Sequence, residues 1–297
     1  MSSQTSARQI ATFRLVTVHA HPDDEASKGA ATIARYADAG VHCVLVTATG
    51  GEEGSYLNPQ LATERPERMA RMRREELDKA AAIAGYAEIV RLGFRDSGMP
   101  GSPTARHPRA FGSVPLLEAA RGLIATFRRV RPHVVISYPE DQAGYPHPDH
   151  LRVFEATRLA LALAPEPTVL PELGPPWRVP RWAWSLWVRE RSVRIAEALR
   201  ARGIEVPWAR TDRPGQDELV GARVDVTGFI ERAHEALRAH ASQVDPASPW
   251  WFALGASELE ELWPTDDYHI VGQPAGVVVD DLFADLLLEP ASLETRW

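Results

Sequence analysis

The sequence of 297 residues has only one cysteine, Cys43, so no disulfide can form within the chain. Cys43 lies in an apolar run over residues 41–46, which indicates a buried core thiol and favours a reducing, cytoplasmic location. No apolar run approaches the roughly 18 residues that a membrane span needs, so we expect no association with a membrane. Residues 1–11 are mostly polar and lack the apolar centre of a signal peptide, and we interpret them as a frayed leader.

Lysine is almost absent, and the chain has no long basic tract. Lys28 and Lys79 are the only lysines among 33 basic residues, and 40 acidic residues leave a net charge of −7. This pattern does not suit a phosphate backbone, so we expect no nucleic-acid partner. The 44% hydrophobic content predicts a globular protein with a substantial core. The composition leaves the oligomeric state open, a homo-oligomer included.

The first half of the chain alternates strand-like and helix-like segments. Strands are predicted at 14–18, 42–47, 88–92 and 133–138, and helices at 27–39, 67–84, 114–129 and 151–163. The alternation predicts an α/β fold with a Rossmann-like, doubly wound, mostly parallel sheet and helices on both faces. In that topology strands one and four are neighbours, and ligands bind where the chain reverses direction between them.

The pattern loosens in the second half. The predicted segments there are a proline-rich loop over 165–180, a strand over 182–188, helices over 192–202 and 225–243, and little periodic structure after 246. We therefore predict a metal-binding catalytic core over residues 12–164. Residues 165–297 are predicted to be a C-terminal elaboration that packs on this core within the same domain and shapes the substrate pocket.

Two clusters of histidine and aspartate follow predicted strands one and four. Residues 21–25 read His-Pro-Asp-Asp-Glu, and residues 145–150 read Tyr-Pro-His-Pro-Asp-His. Because the two strands are expected to be neighbours, the topology brings the two clusters together. Imidazole and carboxylate are the ligands of catalytic zinc sites that keep a position open for water. The sequence therefore predicts a catalytic metal centre.

The spacing within each cluster limits which side chains can share one metal. His21 and Asp24, three residues apart across a turn, can converge on it, and either His147 or His150 would complete a set of three. Asp23 would then point elsewhere and be free to take a proton from a water molecule that the metal has acidified.

Other interpretations of these features are weaker. A lone His-Pro-Asp would be a loop with a capping aspartate, but two clusters in matched loops favour a function. The glycine-rich segment 50–54 contains Glu52 and Glu53, lacks lysine and follows strand two, so a nucleotide site is not predicted. His234 and His240 lie on a predicted helix, and we interpret them as surface or core residues rather than ligands.

Four segments together resemble the LmbE-like (PIG-L) zinc deacetylase family. They are residues 21–25, 51–54 (Gly-Glu-Glu-Gly), 96–99 (Asp-Ser-Gly-Met) and 146–150 (Pro-His-Pro-Asp-His). The resemblance extends from about residue 15 to about residue 287. Members of the family hydrolyse amides on glucosamine-type sugars, so the resemblance implies a metal-dependent amidase or deacetylase.

Within the family, the sequence is most similar to the mycothiol S-conjugate amidases. The similarity lies in segments 27–31, 237–246 and 262–265. It implies cleavage of the amide between glucosaminyl-inositol and an S-substituted N-acetylcysteine, a thiol-sugar conjugate, in detoxification or natural-product biosynthesis. The alternative is a deacetylase of N-acetylglucosaminyl-inositol with the same zinc site, and such enzymes usually lack a lysine at the position of Lys28.

The resemblance also implies a role for each residue of the two clusters. Zinc would be bound by His21, Asp24 and His150, with iron(II) as the alternative metal in the cell. Asp23 would be the general base and afterwards the acid that protonates the leaving amine.

Further site residues follow from the same resemblance. His147, oriented by Asp149, would stabilise the tetrahedral oxyanion, and Tyr145 matches a mobile tyrosine that can reach it. Arg73 and Asp96 match positions that hold sugar and inositol hydroxyls, and charged groups form strong hydrogen bonds to such hydroxyls.

Two positions bear on the choice of substrate. Lys28 would lie beside the site, near the cysteinyl arm of a conjugate. Ser55 departs from the family pattern, because relatives often carry an acidic residue there, near the inositol. A metal-free binding protein on the same scaffold is the remaining alternative, but the complete ligand set and the intact Asp23 argue against it.

Overall fold

The computed structural model describes residues 13–145, 147–206 and 214–286. The predicted leader, residues 1–11, lies outside these ranges. So do Pro146 of the second cluster and the last part of the predicted elaboration, residues 287–297.

The first half of the chain forms the alternating pattern that the sequence predicts. Its elements are β1 (Arg14–His19), α1 (Asp24–Ser27), α2 (Ala30–Asp38), β2 (His42–Thr49), α3 (Met69–Ala84), β3 (Glu88–Phe94), α4 (Leu116–Val130), β4 (Val134–Ser137) and α5 (Pro148–Leu163). One prediction was wrong in detail, because the helix predicted at 27–39 is two helices. Gly29 separates them with a φ of 111°, a left-handed conformation that glycine adopts without steric cost.

The second half adds three strands and four helices to the described structure. They are β5 (Arg181–Ser185), α6 (Arg189–Arg200), β6 (Ala222–Asp225), α7 (Ile230–Ala239), α8 (Pro249–Phe252), α9 (Ala256–Leu262) and β7 (Thr265–Ile270). Short 3₁₀ turns lie in the connections. Among the described residues, no helix has both the length and the apolar character that crossing a bilayer requires.

All seven strands join one sheet in the order β3-β2-β1-β4-β5-β7-β6. The strands from β3 to β5 are parallel, whereas β7 runs antiparallel to both of its neighbours, β5 and β6. The Rossmann-like, doubly wound, mostly parallel sheet is therefore confirmed. So is the predicted adjacency of β1 and β4, which places the carboxyl ends of these two strands side by side.

The central strands are buried on both faces because helices cover both sides of the parallel sheet. Along β1, Leu15 packs in one hydrophobic cluster and Val16 in the other, as the alternation of side chains along a strand requires. Cys43 on β2 is fully buried, as predicted, and burial raises the pKa of its thiol to about 12. This thiol is therefore part of the core and is not an activated nucleophile.

Two strands in the second half were not predicted. The helix predicted at 225–243 begins only at Ile230, because Asp225 ends β6. The segment after residue 246 contains β7, whose buried Asp266 and Asp267 hide its strand character in the sequence. The Asp266 carboxylate accepts hydrogen bonds from the backbone and hydroxyl of Thr32, and Asp267 accepts one from the Trp263 indole. Thr32 is 234 positions from Asp266, so the sequence does not reveal how this buried charge is satisfied, whereas Trp263 lies only four positions from Asp267.

Candidate metal centre and active site

The two His/Asp clusters meet at the carboxyl ends of β1 and β4. Ligand atoms of His21, Asp24 and His150 lie within 4.8 Å of one another, and all three residues are buried. His21 follows β1, and Asp24 is the first residue of α1. The second cluster was predicted to lie in a loop. In the structure α5 begins at Pro148, and His150 lies in the first turn of this helix. Proline at such a position is typical, since the first amides of a helix have no intrahelical acceptor.

The chemistry and spacing of these three side chains fit a divalent transition metal. Asp24 Oδ2 is 3.6 Å from His21 Nδ1 and 3.4 Å from His150 Nε2, and both separations exceed an ordinary hydrogen bond. Two atoms bound at about 2.0–2.2 Å to one tetrahedral ion lie about 3.4 Å apart. One carboxylate and two imidazoles therefore converge at the separation that a shared ion requires.

Lys28 and the backbone N–H of His21 together orient the Asp24 carboxylate, since that N–H donates to Oδ2 at 3.0 Å. The Lys28 ammonium bonds to Asp24 Oδ1, which leaves Oδ2 directed at the two imidazoles. Burial would raise the pKa of Asp24, but Lys28 and His150 hold it well below its ordinary value of 3.8. Asp24 is therefore an ionised carboxylate, the form that can ligate a metal.

The other ring nitrogen of His21, Nε2, contacts the carboxylate of Asp149. His21 Nε2 lies 3.2 Å from Asp149 Oδ2, and the Asp149 carboxylate also accepts hydrogen bonds from the Ser97 amide and hydroxyl, at 3.0 and 2.5 Å. Burial opposes protonation of His21, but its hydrogen-bonded carboxylates raise its pKa well above 6.5. With Nε2 hydrogen-bonded to Asp149, Nδ1 is left to face Asp24 and His150.

The contacts of Asp149 differ from the predicted ones. Its carboxylate contacts His21 and Ser97, whereas the predicted orientation of His147 comes from the backbone, because the Asp149 amide donates to His147 Nδ1 at 3.2 Å. Burial, and then the nearby His21, lower the pKa of His147 to about 4. The ring is thus neutral near pH 7, and its hydrogen lies on Nε2, where it can be donated.

Tyr145 lies at the rim of the site with 41% of its surface exposed. Its ring centroid is 5.3 Å from that of His150 and 6.1 Å from that of His147. Burial, and then the charge of Asp24, raise the pKa of its phenol. Tyr145 therefore keeps its proton and remains a hydrogen-bond donor near the ligand cluster.

Asp23 is not among the side chains whose ligand atoms converge in the described structure. Its backbone is left-handed, with a φ of 102°, which is unusual for a residue other than glycine. Asp23 Oδ2 accepts a hydrogen bond from Arg73 Nη2 at 3.0 Å. Burial raises the pKa of Asp23 and Arg73 opposes this rise, with burial the larger influence. A carboxylate with a raised pKa is a better proton acceptor than an ordinary one.

Arg73 is buried, and its guanidinium contacts the protein. It donates to the carbonyl oxygens of Gly51 and Pro22 as well as to Asp23. The glycine-rich loop leaves room for it, because a Cβ at Gly51 would overlap the guanidinium and one at Gly54 would lie 2.7 Å from Nη1. The glycines of this loop are therefore needed for the close approach of the Arg73 guanidinium.

Asp96 is buried beside the ligand cluster. Its carboxylate accepts hydrogen bonds from the backbone amides of Gly98 at 2.8 Å and Glu53 at 3.3 Å, and Oδ1 lies 3.6 Å from His21 Nε2. Burial would raise the pKa of Asp96, but the nearby His21 and the amide of Gly98 hold it well below 3.8. The structure thus gathers all of the predicted site residues around one centre.

The sequence analysis missed a buried polar cluster behind Asp23. His240 Nε2 lies 2.5 Å from Glu25 Oε1, and the amide and hydroxyl of Ser242 donate to Glu76 at 2.7 and 2.6 Å. Gln243 donates to the Ser55 carbonyl oxygen at 3.1 Å. The sequence offers no clear signal for it, because a His-Ala-Ser-Gln string directly after an amphipathic helix is typical of an ordinary polar loop.

Comparison with known proteins gives a consistent result. The family described as PIG-L, GlcNAc-PI de-N-acetylase, matches residues 16–161. A 1D-myo-inositol 2-acetamido-2-deoxy-alpha-D-glucopyranoside deacetylase of Geodermatophilus obscurus is 39% identical over 92% of this chain and 98% of its own. A mycothiol S-conjugate amidase of Streptomyces coelicolor is 36% identical over 92% of this chain and 97% of its own.

A solved structure supports the fold. The N,N'-diacetylchitobiose deacetylase of Pyrococcus horikoshii superposes with a TM-score of 0.60 at 19% identity. The match covers 86% of this chain and 83% of that protein.

Proposed function

The chain belongs to the PIG-L family of amide hydrolases, and we propose that it cleaves mycothiol S-conjugates at the amide between glucosaminyl-inositol and the S-substituted N-acetylcysteine. The observation that carries this proposal is the convergence of His21, Asp24 and His150 beside an Asp23 that does not belong to the ligand set. Similarity to an amidase over almost the whole chain supports the substrate.

We propose zinc as the metal, with iron(II) as the alternative. His21 Nδ1, Asp24 Oδ2 and His150 Nε2 would hold it, and a donor set of two imidazoles and one carboxylate suits either ion. When bound, the ion would polarise the scissile carbonyl and lower the pKa of a water molecule.

The remaining chemistry belongs to side chains of this protein. Asp23 accepts the proton of the attacking water and later passes it to the leaving amine, while Arg73 holds its carboxylate in place. His147 donates through Nε2 to the oxyanion that forms on the substrate, and the Tyr145 hydroxyl is a second donor. Both donors are uncharged near pH 7, so each can give a hydrogen bond without losing its own proton.

We propose that substrate recognition combines Lys28, Arg73 and Asp96. The Lys28 side chain is 32% exposed and bonds to Asp24, which places its ammonium at the edge of the ligand cluster, where the cysteinyl arm of a conjugate would lie. Asp96 and Arg73 flank the cluster and would bind polyol hydroxyls.

Residues 165–297 are proposed to belong to the same domain as the core. The pairing of β5 with β4 and the contact of His240 with Glu25 support this assignment.

A deacetylase of N-acetylglucosaminyl-inositol is the second candidate. The 39% identity to a deacetylase of this kind favours it, and the same groups would perform the hydrolysis. The two candidates differ only in the acyl group that is removed from the glucosamine nitrogen: an S-substituted N-acetylcysteinyl group in one and an acetyl group in the other.

The test uses the purified protein with its metal content measured. A mycothiol S-conjugate and N-acetylglucosaminyl-inositol are supplied separately, and the release of free amine is followed. Faster cleavage of the conjugate is expected, whereas faster deacetylation would replace the first candidate with the second. Release from neither substrate, with metal bound, would overturn both.

Two variants test the assigned roles in the same assay. Asp23→Asn should keep its metal and lose about 10²- to 10⁴-fold in turnover, the usual weight of general acid–base catalysis. His150→Ala should lose the metal itself. An active Asp23→Asn variant would remove Asp23 from the mechanism.

A further inference from the structure

Asp23 is held in an unfavourable backbone conformation. Its φ of 102° and ψ of −25° lie outside the regions that residues with a Cβ prefer. Such a conformation costs on the order of 1–3 kcal/mol and persists only where the surroundings enforce it. It lies at the start of α1, with the Asp23 carbonyl accepting from the amides of Ala26 and Ser27. The groups that enforce it therefore bear directly on where the Asp23 carboxylate lies.

One of these groups is the buried Glu25. Its Oε2 accepts the backbone N–H of Asp23 at 2.9 Å, and its Oε1 lies 2.5 Å from His240 Nε2. Glu25 is only 1% exposed and His240 is fully buried, so water does not compete for either contact. The carboxylate thus connects the amide of Asp23 to a histidine that lies 215 positions beyond Glu25 in the sequence.

His240 is itself rigidly placed. It directly follows the last residue of α7, and its carbonyl oxygen accepts the amides of Gln243 and Val244. Two residues later, Ser242 is bonded to Glu76 on α3, the helix that also carries Arg73. The segment after α7 is therefore connected to both groups that hold Asp23: Glu25 at its amide and Arg73 at its carboxylate.

We propose that Glu25 and His240 are positioning residues that hold the Asp23 carboxylate in its catalytic orientation. This inference rests on the proposed function, in which Asp23 is the general base. Neither residue is expected to touch substrate. Removal of the Glu25–His240 contact would free the Glu25 carboxylate to turn, the Asp23 amide would lose its acceptor, and the peptide could relax toward an ordinary conformation.

The test compares two buried histidines of the same segment. His240→Leu should lower kcat by about 10- to 100-fold, the usual effect of removing an outer residue that orients a reacting group, with KM and metal content unchanged. The control is His234→Leu on α7, where the histidine lies near Glu231 and Phe252 instead. Its kcat should stay within about twofold of that of the wild type, since distant sites act independently.

A pair of conservative variants separates positioning from general stability. His240→Gln places an amide N–H near the former Nε2 and should restore most of the kcat, whereas the shorter His240→Asn places it near Nδ1 and should not. Melting temperatures show whether each variant folds. If His240→Leu does not fold, the comparison of His240→Gln with His240→Asn tests the proposal instead. Equal kcat values for these two variants would overturn it.

Asp23→Asn, assayed in parallel, distinguishes the general-base role of Asp23 from the positioning role of Glu25 and His240. An active Asp23→Asn variant refutes the general-base role, and the positioning role with it. An inactive Asp23→Asn variant beside a fully active His240→Leu refutes positioning alone. A loss of kcat in His240→Leu that follows a loss of bound metal also refutes it, because the effect would then act through the ligands.

Discussion

His21 Nε2 and Asp149 Oδ2 lie 3.2 Å apart, although 128 positions separate the two residues in the sequence. This contact joins the first His/Asp cluster to the second without any metal. It fixes the rotation of the His21 ring, so that Nδ1 faces Asp24 and His150. Outer carboxylates of this kind orient ligating histidines and increase their basicity.

Removal of that contact should weaken metal binding. Asp149→Ala is expected to reduce metal affinity by about 10- to 100-fold, because the His21 ring loses the group that holds it. Competition with a chromogenic chelator measures the affinity. Ser97→Ala removes only the hydroxyl that supports Asp149 and should give a smaller loss. Unchanged affinity in Asp149→Ala would show that the ring is held by other groups.

Arg73 should be irreplaceable even by lysine. Arg73→Lys keeps the positive charge but cannot span Gly51, Pro22 and Asp23 at once, because an ammonium lacks the planar fork of a guanidinium. We expect kcat to fall by about 10-fold or more while the metal content stays constant. Steady-state kinetics with parallel metal analysis provides the check. A rise in KM alone would instead support a role confined to substrate binding.

Lys28 should determine the choice between acyl groups. Because Lys28 pairs with Asp24, Lys28→Ala is expected to slow both substrates through the altered ligand charge. The informative quantity is the ratio of kcat/KM for the conjugate to that for N-acetylglucosaminyl-inositol, which should fall. The matched control is Lys79→Ala, which changes the other lysine of the chain, an exposed residue on α3. An unchanged ratio in Lys28→Ala would exclude a role in selectivity.

The Glu25–His240 contact should make stability depend on pH above 6.5. Burial lowers the pKa of His240, but Glu25, Asp23 and Glu76 raise it above 6.5 overall. A raised folded-state pKa means that this stabilisation is complete below pH 6.5 and is lost as the pH rises through the folded-state value. Glu25 stays ionised throughout, since its own pKa is lowered.

Melting temperatures of wild type and His240→Gln from about pH 6 to about pH 9 measure this effect. The wild-type value should fall by a few degrees more than that of the variant. Comparison of the two proteins at each pH cancels changes that both share, including the pH dependence of metal binding. Parallel curves would show that His240 does not change its charge in this range.

The sequence predicted the centre of the molecule well. The strands β1 to β4 are apolar runs bounded by turn residues, and their alternation with helices leaves few possible topologies. Adjacency of β1 and β4 then brings His21 and Asp24 to the second cluster. The choice of His150 rather than His147 as the ligand came from the family resemblance; in the structure His150 converges with His21 and Asp24, and His147 converges with His21, Asp96 and Asp149.

The second half was harder to predict because its signals are not local. The strand β7 carries Asp266 and Asp267, whose buried charges are satisfied by hydrogen bonds from Thr32, Trp263 and Thr265 and by the nearby Arg191 and Arg223. His240 looked like an ordinary helix residue, since nothing near it in the sequence indicates that Glu25 is its partner.

By itself, the sequence determined the parallel sheet and the two clusters of candidate site residues, because hydrophobic periodicity and the spacing of functional groups are properties of short segments. The tertiary structure alone decided how those groups are held. The contacts of Asp149 with His21, of Arg73 with Gly51 and of His240 with Glu25 join segments far apart in the chain. Such contacts depend on the angles and depths at which elements pack, and those arise only when the whole core forms.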